Sequence, residues 1–245
     1  MIEPFWNVPP AVGSLCTIRS GGVSHGCYSS LNLGFHTGDN LADVSTNRSI
    51  VRRMTGVERV VYVNQIHGTD VFTVDETELE DTPSADALVT RTPNVAIAIM
   101  TADCLPVLLA AEDGAVVGNA HAGWRGLCAG VLENTISAMN VIPESIHAYL
   151  GPCIGSESFE VGGEVAEAFL DRDPGCRGAF LQIGGSDKFW ADLPLLAVRR
   201  LLAAGLLPQN IYGGYFDTFF MKELFFSYRR EKTTGRMASI VWIRR

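Results

Sequence analysis

Apolar residues along this chain cluster in short runs, with longer stretches of helical period between some of them. Leu15–Arg19, Arg59–Val63, Ala87–Thr90, Val95–Met100, Ala115–Ala120, Ile146–Leu150 and Ile240–Ile243 are strand-length and rich in aliphatic and β-branched residues, which predicts strands. Helical spacing runs through Val44–Met54, Gly126–Met139, Gly163–Leu170 and Asp192–Ala204. The last of these also carries boundary signals: Asp192 as N-cap, Pro194 in the first turn and Gly205 as a stop. The helices are too few for a regular βαβ alternation. An α+β class is therefore expected, with sheet packed on sheet and helices outside, in preference to a doubly wound parallel sheet.

No repeat, low-complexity linker or charge block divides the 245 residues, and 47% of them are hydrophobic, so a single domain over 1–245 is the expectation. The formal net charge of −8 gives no positive field for phosphate backbones or anionic lipid, which argues against nucleic acid and membrane as partners. The most apolar stretch, Val95–Ala111, is interrupted by Asp103 and Pro106 and falls short of the ~18 apolar residues of a membrane span. The first residues, MIEPFWNVPP, lack a basic segment ahead of an apolar run, so a cytoplasmic location is expected. Six dispersed cysteines with no CxxC pair fit thiols better than disulfides.

Candidate chemistry lies where predicted strands run into turns. Three such segments are NQIHGTD around His67, MTADCLPV around Cys104 and GNAHAGWRG around His121. Loops that start from rigid strand ends can converge on one pocket. Two imidazoles and a thiolate are zinc ligands, and three protein ligands leave the fourth tetrahedral position open, as in catalytic zinc sites. Without HExxH or CxxC, residue type alone leaves two other readings: ordinary buried His and Cys, or Cys104 as a nucleophile with His121 as its base. His67, a second imidazole, favours the metal. His25 and His36 sit in turn segments and His147 in a predicted strand, where structural roles are expected. No GxGxxG or P-loop is present, so no organic cofactor is expected.

At these same residues the chain resembles the family variously called laccase-domain proteins, polyphenol oxidases, purine nucleoside phosphorylases or peptidoglycan editing factors. The resemblance runs through RSGGVSHGCYSSLNLGFHTGD, Asn47-Arg48, NQIHG, SADALVT, TADCLPVLLA, GNAHAGWRGLCAGVLENT, LGPCIGSESFEVG and FFSYRREKTTGRMASIVWI. It implies a layered α/β/β/α fold with mixed sheets and a metal triad on His67, Cys104 and His121. Only the segment IYGGYFDTFFMKEL departs from the family pattern, which expects a shorter run with a Cys-Thr pair.

The oldest family name suggests multicopper oxidation, but five histidines and no HxH pair cannot furnish several copper ions; copper in the His-Cys-His site would be incidental. The resemblance instead implies purine nucleoside chemistry: phosphorolysis of adenosine, inosine or methylthioadenosine, and hydrolytic deamination of adenosine. Zinc lowers the pKa of water to about 7, which suits deamination. That reaction also needs a proton carrier. No HxE motif is present, and Asp103 is the nearest candidate in sequence, with turn capping or ligand orientation as the alternative role. Phosphorolysis needs cations for a dianion. Arg48 is the preferred anion ligand and Arg125, in AGWRG, a second candidate; Arg229 and Arg230 are expected in structural pairs, and Trp124 could stack on a base or cover the core. A second enzymatic reading is a zinc amidase editing a cell-wall precursor, since the same metal chemistry serves an acyl carbonyl. A third is the metal-free Cys/His hydrolase. A non-enzymatic binding module is disfavoured by the open coordination position.

Overall fold

In the computed structural model, which describes residues 1–77, 79 and 81–244, strands alternate with helices as follows. β1 (Val12–Cys16) precedes α1 (Leu41–Thr55); β2 (Arg59–Tyr62), β3 (Val71–Val74), β4 (Ala87–Thr90), β5 (Val95–Thr101), β6 (Leu105–Ala111) and β7 (Val117–Ala122) follow. Then come α2 (Trp124–Ala129), α3 (Val131–Met139), β8 (Ile146–Leu150), β9 (Glu160–Gly162) and α4 (Gly163–Leu170). The chain continues through β10 (Phe180–Gln182), β11 (Lys188–Ala191), α5 (Leu193–Ala203), β12 (Ile211–Gly213), α6 (Tyr228–Glu231) and β13 (Met237–Ile243).

The strands form a four-stranded sheet ordered β1-β13-β5-β2, a six-stranded sheet ordered β12-β8-β6-β7-β4-β3 and a small antiparallel sheet β10-β11-β9. Both large sheets are mixed, with parallel pairs β2/β5, β3/β4 and β8/β12 among antiparallel ones. The layering follows from the two-residue period of the central strands. In β5, Val95, Ile97 and Ile99 enter the core between the two sheets, while Ala96, Ala98 and Met100 face the cluster that also takes Val51 of α1. In β6, Leu108 and Ala110 join the inter-sheet core, while Val107, Leu109 and Ala111 face Leu127, Leu132 and Leu196 of α2, α3 and α5. Helix, sheet, sheet and helix are thus stacked as α/β/β/α. Because both faces of these strands are covered, they read as unbroken apolar runs. One polar side chain spans the sheets: Asn119 of β7, fully buried, donates from Nδ2 to the carbonyls of Ile97 (3.1 Å) and Ser239 (2.8 Å).

Local chemistry sets the helix boundaries. Asn40 caps α1 by accepting from the Ala42 and Asp43 amides, and Gly56 ends it at φ 70°. The expected single helix over Gly126–Met139 is two, α2 and α3, because Gly130 sits between them at φ 114°. Asp192 caps α5 through the Leu195 amide (2.8 Å), with Pro194 in its first turn, as its sequence signals predict. The first strand lies at Val12–Cys16, three residues ahead of the expected Leu15–Arg19. Among the described residues, no helix is long and apolar enough to cross a membrane.

Candidate metal centre

β5 and β6 belong to different sheets, so the tight turn Ala102–Cys104 carries the chain from one sheet to the other. Cys104 sits at that crossing, His121 near the end of neighbouring β7 and His67 in the loop after β2. Their ligand atoms all lie within 4.8 Å of one another. The His67 and His121 rings meet edge-on, with centroids 4.8 Å apart. His121 is buried, Cys104 half-buried and His67 exposed, so the cluster opens to solvent on the His67 side.

One buried carboxylate organises the cluster. His67 has φ 59°, a conformation that a non-glycine residue keeps only when its surroundings impose it. Asp86, just ahead of β4 and 0% exposed, imposes it by accepting the amides of Ile66 (3.1 Å), His67 (2.9 Å) and Gly68 (2.6 Å). Its Oδ1 is also 2.7 Å from His121 Nδ1. An ionised carboxylate only accepts, so Nδ1 carries the proton and Nε2 is left for Cys104 or a metal. Burial alone would raise the Asp86 carboxyl; the hydrogen bonds from His121, Gly68 and Ile66 outweigh it and hold the group below its usual range. Burial would lower His121, but the Cys104 thiol and Asp86 push it up to about 9. His67 is lowered by partial burial and by the neighbouring His121 charge, against the pull of Asp86.

The donor set fits a zinc ion. Zn–N near ~2.1 Å and Zn–S near ~2.3 Å give tetrahedral edges of roughly 3.4–3.6 Å, so a closure on the order of 1 Å by side-chain torsion brings a 4.8 Å spread into one shell. The cradle is kept clear by Gly123: a Cβ there would come within 2.9 Å of His67 Nδ1 and 3.1 Å of Cys104 Sγ.

Asp103, beside Cys104, is buried at φ 97° and already engaged. Its Oδ1 accepts from Thr218 Oγ1 (2.7 Å) and its Oδ2 from the Arg229 amide (2.6 Å), tying the Cys104 turn to the segment that departs from the family pattern and to α6. Arg48 is on α1: Nε donates to Leu33 O (2.9 Å), and the guanidinium lies between the Phe35 ring (4.3 Å) and the Tyr62 ring (3.9 Å). Arg125 is exposed in the first turn of α2, over the Trp124 ring at 4.4 Å, and near enough to depress His67. Arg229 donates to Glu160 O and Arg230 to the carbonyls of Thr218, Phe219 and Phe225, both structural roles. His147 is buried in β8 and stacks on Tyr212; His25 is exposed in its turn.

Cys104 also forms part of the wall of an apolar cavity of about 140 Å³, with Trp124, Ile154, Phe159, Leu193 and Tyr228. A larger cleft of about 350 Å³, lined by Asp192, Tyr215, Asp217 and Phe220, contains none of the triad residues. Asp86 and Gly123 were not singled out from the sequence. The signal for Asp86 is a carboxylate abutting the wholly buried strand ALVT, where an ionised group must find donors.

Among known proteins, the Escherichia coli protein named purine nucleoside phosphorylase YfiH is 48% identical over 244 residues, covering 99% of this chain and 98% of that one. A purine nucleoside phosphorylase of Haemophilus influenzae is 43% identical, covering 98% of each. The crystal structure of Neisseria meningitidis protein NMB0706 superposes with a TM-score of 0.95 at 49% identity, covering 100% of this chain and 99% of the other. The family model described as multi-copper polyphenol oxidoreductase laccase matches residues 13–244, and the chain belongs to that family.

Proposed function

We propose that residues 1–245 form one catalytic domain that uses zinc on His67, Cys104 and His121 for purine nucleoside chemistry: phosphorolysis of adenosine, inosine and methylthioadenosine, and hydrolytic deamination of adenosine. The observation that carries this reading is that the donor triad opens through Cys104 directly onto the apolar, aromatic-walled cavity. A planar base is matched by flat walls such as Trp124, Phe159 and Tyr228, and the names of the relatives support a purine nucleoside as substrate. Zinc, once bound, supplies a Lewis acid and lowers the pKa of a water. The chain's own residues do the rest. Asp86 keeps His121 in the tautomer that leaves Nε2 free. Trp124 and Phe159 exclude water from one side of the site. Arg48 offers a fixed guanidinium fork to phosphate. Asp103 acts as a positioning residue for the Cys104 turn, since both its oxygens are held by Thr218 and Arg229. The compartment we infer is the cytoplasm, where the six free cysteines, Cys104 among them, stay reduced.

The test is metal analysis with paired assays. Purified protein should hold about one zinc per chain, reduced in Cys104→Ala, and Arg48→Ala should raise the Michaelis constant for phosphate roughly ten- to a hundredfold while adenosine deamination changes much less. Equal loss in both reactions, or full zinc in Cys104→Ala, overturns the assignment.

One observation favours a second reading. Cys104, His121 and Asp86 stand in line as a thiol, an imidazole and an orienting carboxylate, the arrangement of a metal-free cysteine hydrolase. Chelation separates the two: it abolishes activity that depends on zinc and leaves or raises activity of a free thiolate.

A further inference from the structure

Two arginines lie on either side of the loop Leu33–His36, and among the described residues neither has a carboxylate within ion-pair distance. Arg48 comes from α1, and Arg236 from the segment that leads into β13. Among the described residues, Arg19, Arg199, Arg200 and Arg230 each have a carboxylate within 4 Å. Arg48 and Arg236 are instead only partly exposed and held by carbonyls and rings. Arg236 Nη1 donates to Thr234 O (2.9 Å) and Gly235 O (3.0 Å), and its guanidinium lies over Tyr228 at 5.8 Å. These contacts fix each fork in place without neutralising it.

The loop Leu33–His36 joins the two. Arg48 bonds Leu33 O and stacks on Phe35. On the other side, Gly34 is packed against both Arg236 and the His36 ring: a Cβ added there would come within 2.9 Å of Arg236 Cγ and 3.3 Å of His36 Cε1. Arg236 overlies Tyr228, which lines the apolar cavity together with Cys104; burial lowers the proton affinity of Arg236, and the Cys104 thiol and the Asp103 carboxylate pull it back up. His36, at the rim, is lowered by partial burial and by both arginines, as expected of a group facing uncompensated positive charge. Donors remain unused among the described residues: Arg48 Nη1, Arg236 Nε and Nη2, and the His36 ring. In a protein of net charge −8, half-buried guanidiniums around one loop with no carboxylate beside them leave a local positive site that suits an anion.

We propose that Arg236 and His36 complete, with Arg48, a cationic pocket that binds a phosphate group beside the Cys104 turn. The proposal rests on the nucleoside reading for its role and deepens it: phosphate held here lies next to Tyr228, which shares the wall of the apolar cavity with Cys104. Two forks from two parts of the fold fit a tetrahedral dianion better than one does, because each presents a planar pair of donors to a different oxygen edge. The group recognised is a phosphate dianion, whether free phosphate as attacking species or the phosphate of a ribose 1-phosphate product.

The experiment is calorimetric titration of the zinc-loaded full chain with inorganic phosphate at constant ionic strength, without nucleoside, followed by ribose 1-phosphate in competition. Saturable phosphate binding is expected, weakened at least about tenfold in Arg236→Ala and His36→Ala, with zinc content unchanged. Arg236→Lys keeps the charge but loses the fork, so it should also weaken binding, and it carries the test if Arg236→Ala does not fold. Displacement by ribose 1-phosphate marks a site used by both species; its failure with binding intact assigns the pocket to free phosphate. Wild-type phosphate affinity in the Arg236 and His36 variants, or no saturable binding to the wild type, overturns the proposal. Because the titration contains no nucleoside, intact phosphate binding together with no turnover in a separate nucleoside assay would fault the nucleoside reading and leave the pocket standing.

Discussion

Replacing Asp86 by asparagine keeps the shape of the side chain and removes its charge, so it tests whether this carboxylate builds the metal centre. Four donors converge on two oxygens: the His67 amide and His121 Nδ1 on Oδ1, the Ile66 and Gly68 amides on Oδ2. Asparagine offers one acceptor oxygen and an NH2 group. If the oxygen faces His121, the Ile66 and Gly68 amides meet an NH2 and the left-handed turn at His67 loses its anchor. If the NH2 faces His121, the ring must accept at Nδ1 and carry its proton on Nε2, the nitrogen a metal needs. Either way a ligand is disturbed. Leaving one buried donor unmet costs about 1–3 kcal/mol, and two of them with partial relaxation on the order of 3 kcal/mol. For a chain of this length that corresponds to a Tm lowered by roughly 6–12 °C in the metal-free protein. Loss of the orienting partner should weaken zinc by about ten- to a hundredfold, read by competition with a chromophoric chelator. A lowered Tm with unchanged zinc affinity would mean that Asp86 only holds the turn, and two unchanged values would refute the hydrogen-bond geometry itself.

Gly123→Ala has acceptable backbone angles (φ −60°, ψ 152°), so its effect should be purely steric: weaker zinc binding with a near-normal metal-free Tm, checked by the same chelator competition. Gly130→Ala should do the opposite, costing on the order of 1–2 kcal/mol in thermal unfolding because φ 114° strains any side chain, with zinc affinity unchanged. Removing zinc should lower the Tm reversibly, the stabilisation at a hundredfold excess over Kd being about 2.7 kcal/mol. Asp103→Asn should speed amide exchange in residues 218–229, which its carboxylate anchors; a slowed reaction with normal exchange there would point to proton transfer instead.

How far the sequence could be read depends on which structural force fixed each feature. The buried central strands were legible because a strand covered on both faces is an uninterrupted apolar run, and β5 and β8 match their expected spans within a residue. β6 was missed as a strand because Pro106 interrupts its pattern, although Pro106 sits at the strand's second residue, where ladder pairing has barely begun. β9, β10, β11 and β12 are three or four residues long and are made by tertiary pairing, which leaves little local signal. The cluster of His67, Cys104 and His121, which could hold a metal, was legible from residue type, since His and Cys at strand ends are few. Its support was not. Asp86 is 19 residues from His67 and 35 from His121, and only the parallel pairing of β3 with β4 and the antiparallel pairing of β4 with β7 bring it beneath both.

Asp103, for which the sequence allows either a proton carrier or a turn-capping, ligand-orienting role, is engaged in the second way in the structure. Next to Cys104, it is the obvious carboxylate for a proton carrier, yet at φ 97° its side chain is directed to Thr218 and the Arg229 amide, 115 and 126 residues further along the chain. A tight turn between two sheets must be pinned from outside, because it has no ladder of its own, and a carboxylate accepting from two distant segments does that. The same pin fixes the direction of Cys104. The residue that orients the thiol is therefore its neighbour, and the residue that orients the imidazole opposite it is a carboxylate from another strand. Between them these two acids hold a ligand on each side of the site, both with their oxygens engaged, while His67 and Arg125 face solvent on its open side.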